Sequence, residues 1–143
     1  DGRLLTIPDM GTNLELGVVH LMALPAHFMH AEGNFSFYDP ISKILFSGDI
    51  GANFPTGDLD VPIEALQEIM PHMEGFHRRY INSRKVCRYW VNMIRELHVE
   101  AIIPQHGRGF IVEKIVDEFL DWLENLECGV DLMTQAHYKR PTE

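Results

Sequence analysis

Apolar positions fall in short runs through the first half of the chain and in helical stripes through the second. Arg3–Ile7 reads as a short strand, and Pro8–Asn13, rich in Pro, Asp, Gly and Asn, as a turn. Leu14–Leu24 contains a largely apolar strand, expected to be buried on both faces and ended by Pro25. Phe35–Tyr38 and Ile44–Ser47 flank Asp39-Pro40-Ile41-Ser42-Lys43, which predicts a β-hairpin. Gly48–Val61 reads as a loop. Pro62 suits the first turn of a helix, and Ile63–Met73 has helical spacing. The clearest helix carries Val86, Trp90, Met93, Ile94 and Leu97 on one face, with Arg84, Lys85, Arg88 and Arg95 on the other. Ala101–Pro104 predicts a short buried strand, and Gln105–Gly109 a loop. Ile115, Phe119, Trp122, Leu123 and Leu126 mark a last helix, and the tail from Cys128 is weakly patterned. No internal repeat is visible. Strands mixed with later helices predict an α+β architecture of layered sheet and helix.

Composition narrows the functional classes. The 143 residues suit one domain or part of one. The net charge of −9 argues against a nucleic-acid-binding surface, which needs clustered positive charge. No apolar run approaches a membrane span of roughly 18–20 residues. Two cysteines, Cys87 and Cys128, are too few for a disulfide scaffold, which suits a reducing, cytoplasmic setting. Eight histidines are an enrichment, and histidine is the commonest metal ligand. The chain opens on Asp1-Gly2, without Met, directly into an apolar pattern; it reads as a piece of a longer protein.

The predicted hairpin carries the chemistry. Residues before its first strand, His30 to Asn34, must meet those after its second, Gly48-Asp49, at its open end. His106 follows the predicted strand Ala101–Pro104. An Asp carboxylate has two oxygens and can bridge two cations, while each imidazole ligates one. Taken singly, each has a plainer reading: a satisfied loop or core histidine, and an aspartate in a turn or helix cap. Three such groups at successive strand ends shift the balance towards a metal half-shell and leave the plainer reading equally open.

His30-Ala31-Glu32-Gly33-Asn34-Phe35, with the strand ending Tyr38-Asp39-Pro40, then Leu45-Phe46-Ser47-Gly48-Asp49, resembles the second half of a metallo-β-lactamase-fold domain. The nineteen positions from His30 to Asp49 match that family's His-to-Asp separation, and Pro104-Gln105-His106-Gly107 is similar to its last ligand motif. The likeness runs from the strand before Pro25 to the last helix. Within the superfamily, Phe46 to Ala52, His77-Arg78-Arg79-Tyr80, Lys85 to Arg88 and Trp90 to Met93 resemble the flavodiiron proteins, especially shorter oxygen-binding di-iron proteins without a flavodoxin domain. The resemblance implies the C-terminal half of an αββα sandwich and two iron ions (ferrous or ferric) with an oxo or hydroxo bridge. His30 would ligate one iron, His106 the other, and Asp49 would bridge them. It further implies dioxygen or nitric oxide as ligand, oxygen sensing or reduction as the role, and a homodimer; from the charge and the lack of a long apolar run, neither nucleic acid nor membrane is expected as a partner.

One part of the pattern is missing. The family's first cluster, His-x-Glu-x-Asp-His, cannot be placed at His30, because Asn34 and Phe35 would fill its Asp and His slots. It is expected upstream, in an N-terminal half of the domain that acts as partner to this chain. Zinc is the alternative metal, giving a hydrolase of thioester, lactam or phosphodiester through a metal-activated hydroxide. A Glu in the second position of the upstream cluster would favour iron, and a His zinc. A third reading is a non-catalytic half that associates with its complement.

Other residues keep two readings. His27 competes with His30, but the spacing favours His30. Glu32 reads as a pocket or second-layer carboxylate, or as a solvated one. Tyr80 reads as a pocket residue or as a packing aromatic. His20 reads as core, and His72, His77, His98 and His137 as surface. Cys87 reads as packing, and the methionines as core filler. The basic stretch Arg78-Arg79 and Arg84-Lys85 reads as a solvated face or as a docking face.

Overall fold

A two-residue turn sets the first hairpin. In the computed structural model, which describes residues 2 and 4–142, β1 (Thr12–Leu16) and β2 (Val19–Pro25) pair antiparallel with Leu16 opposite Val19. The loop is Gly17-Val18, and Gly17 takes φ 68°. Glycine at the first loop position supplies the positive φ that matches strand twist. The single strand expected over Leu14–Leu24 is therefore two, and β1 and the start of β2 are largely exposed rather than buried on both faces. Leu4–Ile7, expected as strand, carries no regular structure, with Leu4 and Leu5 exposed; Arg3 lies outside the described residues.

The second hairpin follows the expectation. β3 (Phe35–Asp39) pairs with β4 (Ile44–Gly48), Asp39 opposite Ile44. Asp39 closes the turn by accepting from the Ile41 amide at 2.9 Å and the Ser42 hydroxyl at 2.7 Å, as an Asx turn does. The long connection from Asp49 holds α1 (Leu66–Ile69), α2 (Glu74–Tyr80) and α3 (Arg84–Ile94). β5 (Ala101–Pro104) then enters parallel to β4, and α4 (Glu113–Glu124) closes the fold. Strand order is β1-β2-β3-β4-β5. The helix predicted from Pro62 starts only at Leu66 and tightens at Met70–His72, around Pro71, whose missing amide removes a helical hydrogen bond. α2 is an element that the sequence pattern did not announce.

Helices cover one sheet face. Cross-strand partners Tyr38, Leu45 and Ile102 point to that face and are buried. Trp90 of α3 donates its indole N–H to the buried Ser36 hydroxyl at 3.2 Å, and the Tyr38 hydroxyl donates to the His98 carbonyl at 2.7 Å. In α3, Trp90 and Ile94 of the predicted stripe are buried, together with Cys87 and Val91, whereas Val86, Met93 and Leu97 are only partly buried and pack at its margin. The free thiols Cys87 and Cys128 stand 3.9 Å apart beneath it. The opposite sheet face carries Phe35, Phe37, Phe46 and Ile103, which line an open groove, and Phe46 is 44% exposed. His20, expected in the core, is exposed on β2, because the outer end of the first hairpin has no layer above it. No helix of the described residues is long and apolar enough to cross a membrane.

Phe119 is fully buried and stacks on Phe110 at 4.6 Å. Phe119→Ala is expected to cost about 3–5 kcal/mol in urea unfolding. Tyr89→Ala, on the exposed side of α3, should cost no more than about 0.5 kcal/mol.

Candidate metal centre

Parallel pairing builds the site. β4 and β5 run the same way with Gly48 opposite Pro104, and the Gln105 amide donates to the Gly48 carbonyl at 2.7 Å. Asp49, one residue past Gly48, and His106, two residues past Pro104, therefore leave the same end of the two strands. His30 reaches the same edge from the β2–β3 connection. That connection is held by Ala26 N–H to Asn34 O (2.9 Å), Phe28 N–H to Ala31 O (2.8 Å) and the Asn34 amide to Met29 O (2.5 Å).

The three side chains meet. His30 Nε2 lies 3.5 Å from Asp49 Oδ2, and His106 Nε2 lies 3.6 Å from Asp49 Oδ1. Each carboxylate oxygen thus faces a different imidazole, at a separation beyond a good hydrogen bond. The three do not converge on one point. Among the described residues, the sole group with three donors mutually within 4.8 Å is His98, Glu100 and Glu113. That group lies at the opposite end of β5, and Lys43 already pairs with Glu100 at 2.7 Å.

The donor set fits metal. Two donors on one ion, with bonds of about 2.1 Å and angles of about 90–120°, stand about 3.0–3.6 Å apart. The two pairs meet that spacing, and imidazole with carboxylate suits iron or zinc. Three side chains fill only part of two coordination spheres. All three remain partly open to solvent, Asp49 least at 27%.

Aromatic rings frame the edge. Phe76 meets the His30 ring edge-on at 5.9 Å, Tyr80 lies tilted against it at 5.4 Å, and Phe54 stacks near His106 at 6.0 Å. Glu32 is exposed and makes no side-chain hydrogen bond or ion pair among the described residues. His27 turns away, its Nε2 donating to the Asp9 carbonyl at 2.7 Å. No lysine or arginine of the described residues pairs with Asp49. Arg108, two residues after His106, is spent on the Val61 and Pro62 carbonyls and on Glu68.

His77 corrects the surface assignment made from sequence, for it is fully buried. Its Nδ1–H donates to the Met73 carbonyl at 2.8 Å, and its Nε2 accepts from the Gly51 amide at 2.8 Å. α2 is thereby pinned to the turn that follows Asp49. Burial pushes its pKa from 6.5 down to about 4, partly offset by the Met73 bond and by Asp49. His72, His98 and His137 are exposed, as expected.

Comparison with known proteins places the chain. The fold is that of the metallo-β-lactamase proteins. The sequence model described as "ODP family beta lactamase" matches residues 1–107, and the chain belongs to that family. Among solved structures it is similar to the peroxy diiron species of the chemotaxis sensor ODP, at 42% identity and TM-score 0.84, over 92% of this chain and 55% of that one. The apo chemotaxis sensor ODP from T. denticola matches at 41% identity and TM-score 0.85, over 92% and 54%. A variant of the flavo di-iron protein from Thermotoga maritima shares the fold at 20% identity and TM-score 0.69, over 83% and 30%. The chain thus spans about half the length of the two sensor chains. A search of curated proteins returned no match.

Because folded His77 is neutral and unfolded histidine is not, the unfolded state takes up the proton first as pH falls. Stability of the metal-free protein should be full above pH 6.5 and fall by up to about 3 kcal/mol on acidification to about pH 4. His77→Gln should remove that portion of the pH dependence in urea titrations run at each pH.

Proposed function

We propose that this chain supplies one half of a di-iron centre that binds dioxygen, in the service of sensing. The observation that carries the reading is the single carboxylate of Asp49 with a different imidazole at each oxygen. In this reading His30 would hold one ion and His106 the second, with Asp49 offering one carboxylate oxygen to each. When bound, two ferrous ions supply the electrons that dioxygen accepts. The side chains hold the ions and leave positions open, and Phe54, Phe76 and Tyr80 give the rim an apolar character that suits a small uncharged ligand. A phosphodiester would call for free cations at the rim, and Arg108 is already engaged. The similar chains of known structure, described as a chemotaxis sensor and its peroxy diiron species, support the same choice.

The remaining donors come, in this reading, from an N-terminal half of the domain. The open groove of Phe35, Phe37, Phe46 and Ile103 is where its sheet would pack. Nitric oxide as a second ligand, oxygen reduction, a homodimer and a cytoplasmic location belong to the same proposal. Glu32 and Tyr80 enter it as pocket residues, Tyr80 with the closer approach to His30.

The test is metal analysis of the full-length protein purified without oxygen. About two irons per chain and an absorption change on admitting air are expected. His30→Ala and His106→Ala should each lose about one iron, and Asp49→Ala most of both. Two zincs with no response to air would overturn the reading in favour of a hydrolase.

A further inference from the structure

Asn53 is fully buried and polar, and every hydrogen-bonding group of its amide is in use. Its Nδ2 donates to the Gly51 carbonyl and to the Arg108 carbonyl, each at 2.9 Å. Its Oδ1 accepts from the Arg108 amide at 2.8 Å, and its own backbone N–H donates to the His106 carbonyl at 3.1 Å. Beyond the Gln105–Gly48 bond that ends the β4–β5 ladder, all hydrogen bonds joining residues 49–54 to residues 106–110 involve Asn53, among the described residues. One loop carries Asp49 and the other His106.

The partner loop is shaped to receive it. Gly107 takes φ 89°, and a Cβ built there would stand 2.1 Å from the Asn53 carbonyl oxygen and 2.2 Å from its Oδ1. Only glycine allows the two backbones this approach. His30 is held by a different set of bonds, through Asn34 and Ala26, that does not touch Asn53.

We propose that Asn53 is a positioning residue that holds the His106 loop in place, so that it sets the His106 side of the centre and leaves His30 to other contacts. The inference rests on the two-ion reading above. A buried amide can fix two loops without water, and a full set of partners makes its loss costly at one place. Metal affinity responds to such outer contacts by about 10–100-fold.

The test uses the full-length protein stripped of metal and titrated anaerobically with cobalt(II), whose visible absorption reports each equivalent bound. Asn53→Ala should weaken one of the two equivalents about tenfold or more and leave the other within about threefold. In a His106→Ala background the same substitution should produce no further loss, because the two act on one ion. Gly107→Ala, which displaces Asn53 without deleting its groups, should reproduce the selective loss. Tyr38→Phe, which deletes a partly buried hydrogen bond at the other end of β3, should lower thermal stability and move neither equivalent. Equal weakening of both equivalents by Asn53→Ala, unchanged binding, or losses that add to those of His106→Ala would overturn the inference. A wild-type protein that takes up fewer than two cobalt ions would overturn the two-ion reading and this inference with it.

Discussion

The parallel pairing of β4 with β5 is the constraint from which the rest follows. Two parallel neighbours cannot be joined by a tight turn, so the chain must cross over between them. The crossover here runs from Asp49 to Glu100 and contains three helices. Those helices bury one face of the sheet, and the same pairing delivers both strand ends to one edge. Asp49 and His106 are neighbours for that reason, although far apart in sequence. The antiparallel β2–β3 connection then needs only to place His30 at the same edge.

Buried polar groups govern how firmly that edge is held. His77 stays neutral because burial opposes its charge, and a neutral ring can donate at Nδ1 while accepting at Nε2. It ties the Asp49 turn to α2 on one side. Asn53 ties it to the His106 loop on the other. Both are fully satisfied, which is what makes a polar group tolerable in a core. The three donors between them are left partly exposed and are not bonded to one another. Positioning is thus assigned to buried neighbours, and the donors stay available.

Much of this was legible in the sequence, for physical reasons that differ by element. The β3–β4 hairpin announces itself because its turn residues and its strands agree. α3 and α4 do so because a helical stripe of large apolar residues has few alternatives. His30, Asp49 and His106 were legible as strand-end groups, and as motifs at family-like separations, and the fold brings the three side chains within 3.5 and 3.6 Å at Asp49. The first hairpin was not legible, since Gly17-Val18 lies inside a continuous apolar run and reads as more strand. His20 and His77 exchanged their expected places because neither a strand end without cover nor a helix pinned by its own histidine has a periodic signature. Asn53 was missed for a related reason: its partners are backbone groups on a loop more than fifty residues away, and sequence spacing does not encode such contacts. The approach of Cys87 to Cys128 is of the same kind.

The central claim is that Asp49 stands between two metal ions, one on the side of each histidine. Anomalous diffraction from crystals of the full-length protein, grown anaerobically with iron and measured across the iron absorption edge, addresses it directly. The account predicts two iron peaks, one within bonding distance of His30 Nε2 and one of His106 Nε2, each bonded to a separate oxygen of Asp49. A single peak, or two peaks with Asp49 bonded to neither or to one alone, would contradict it.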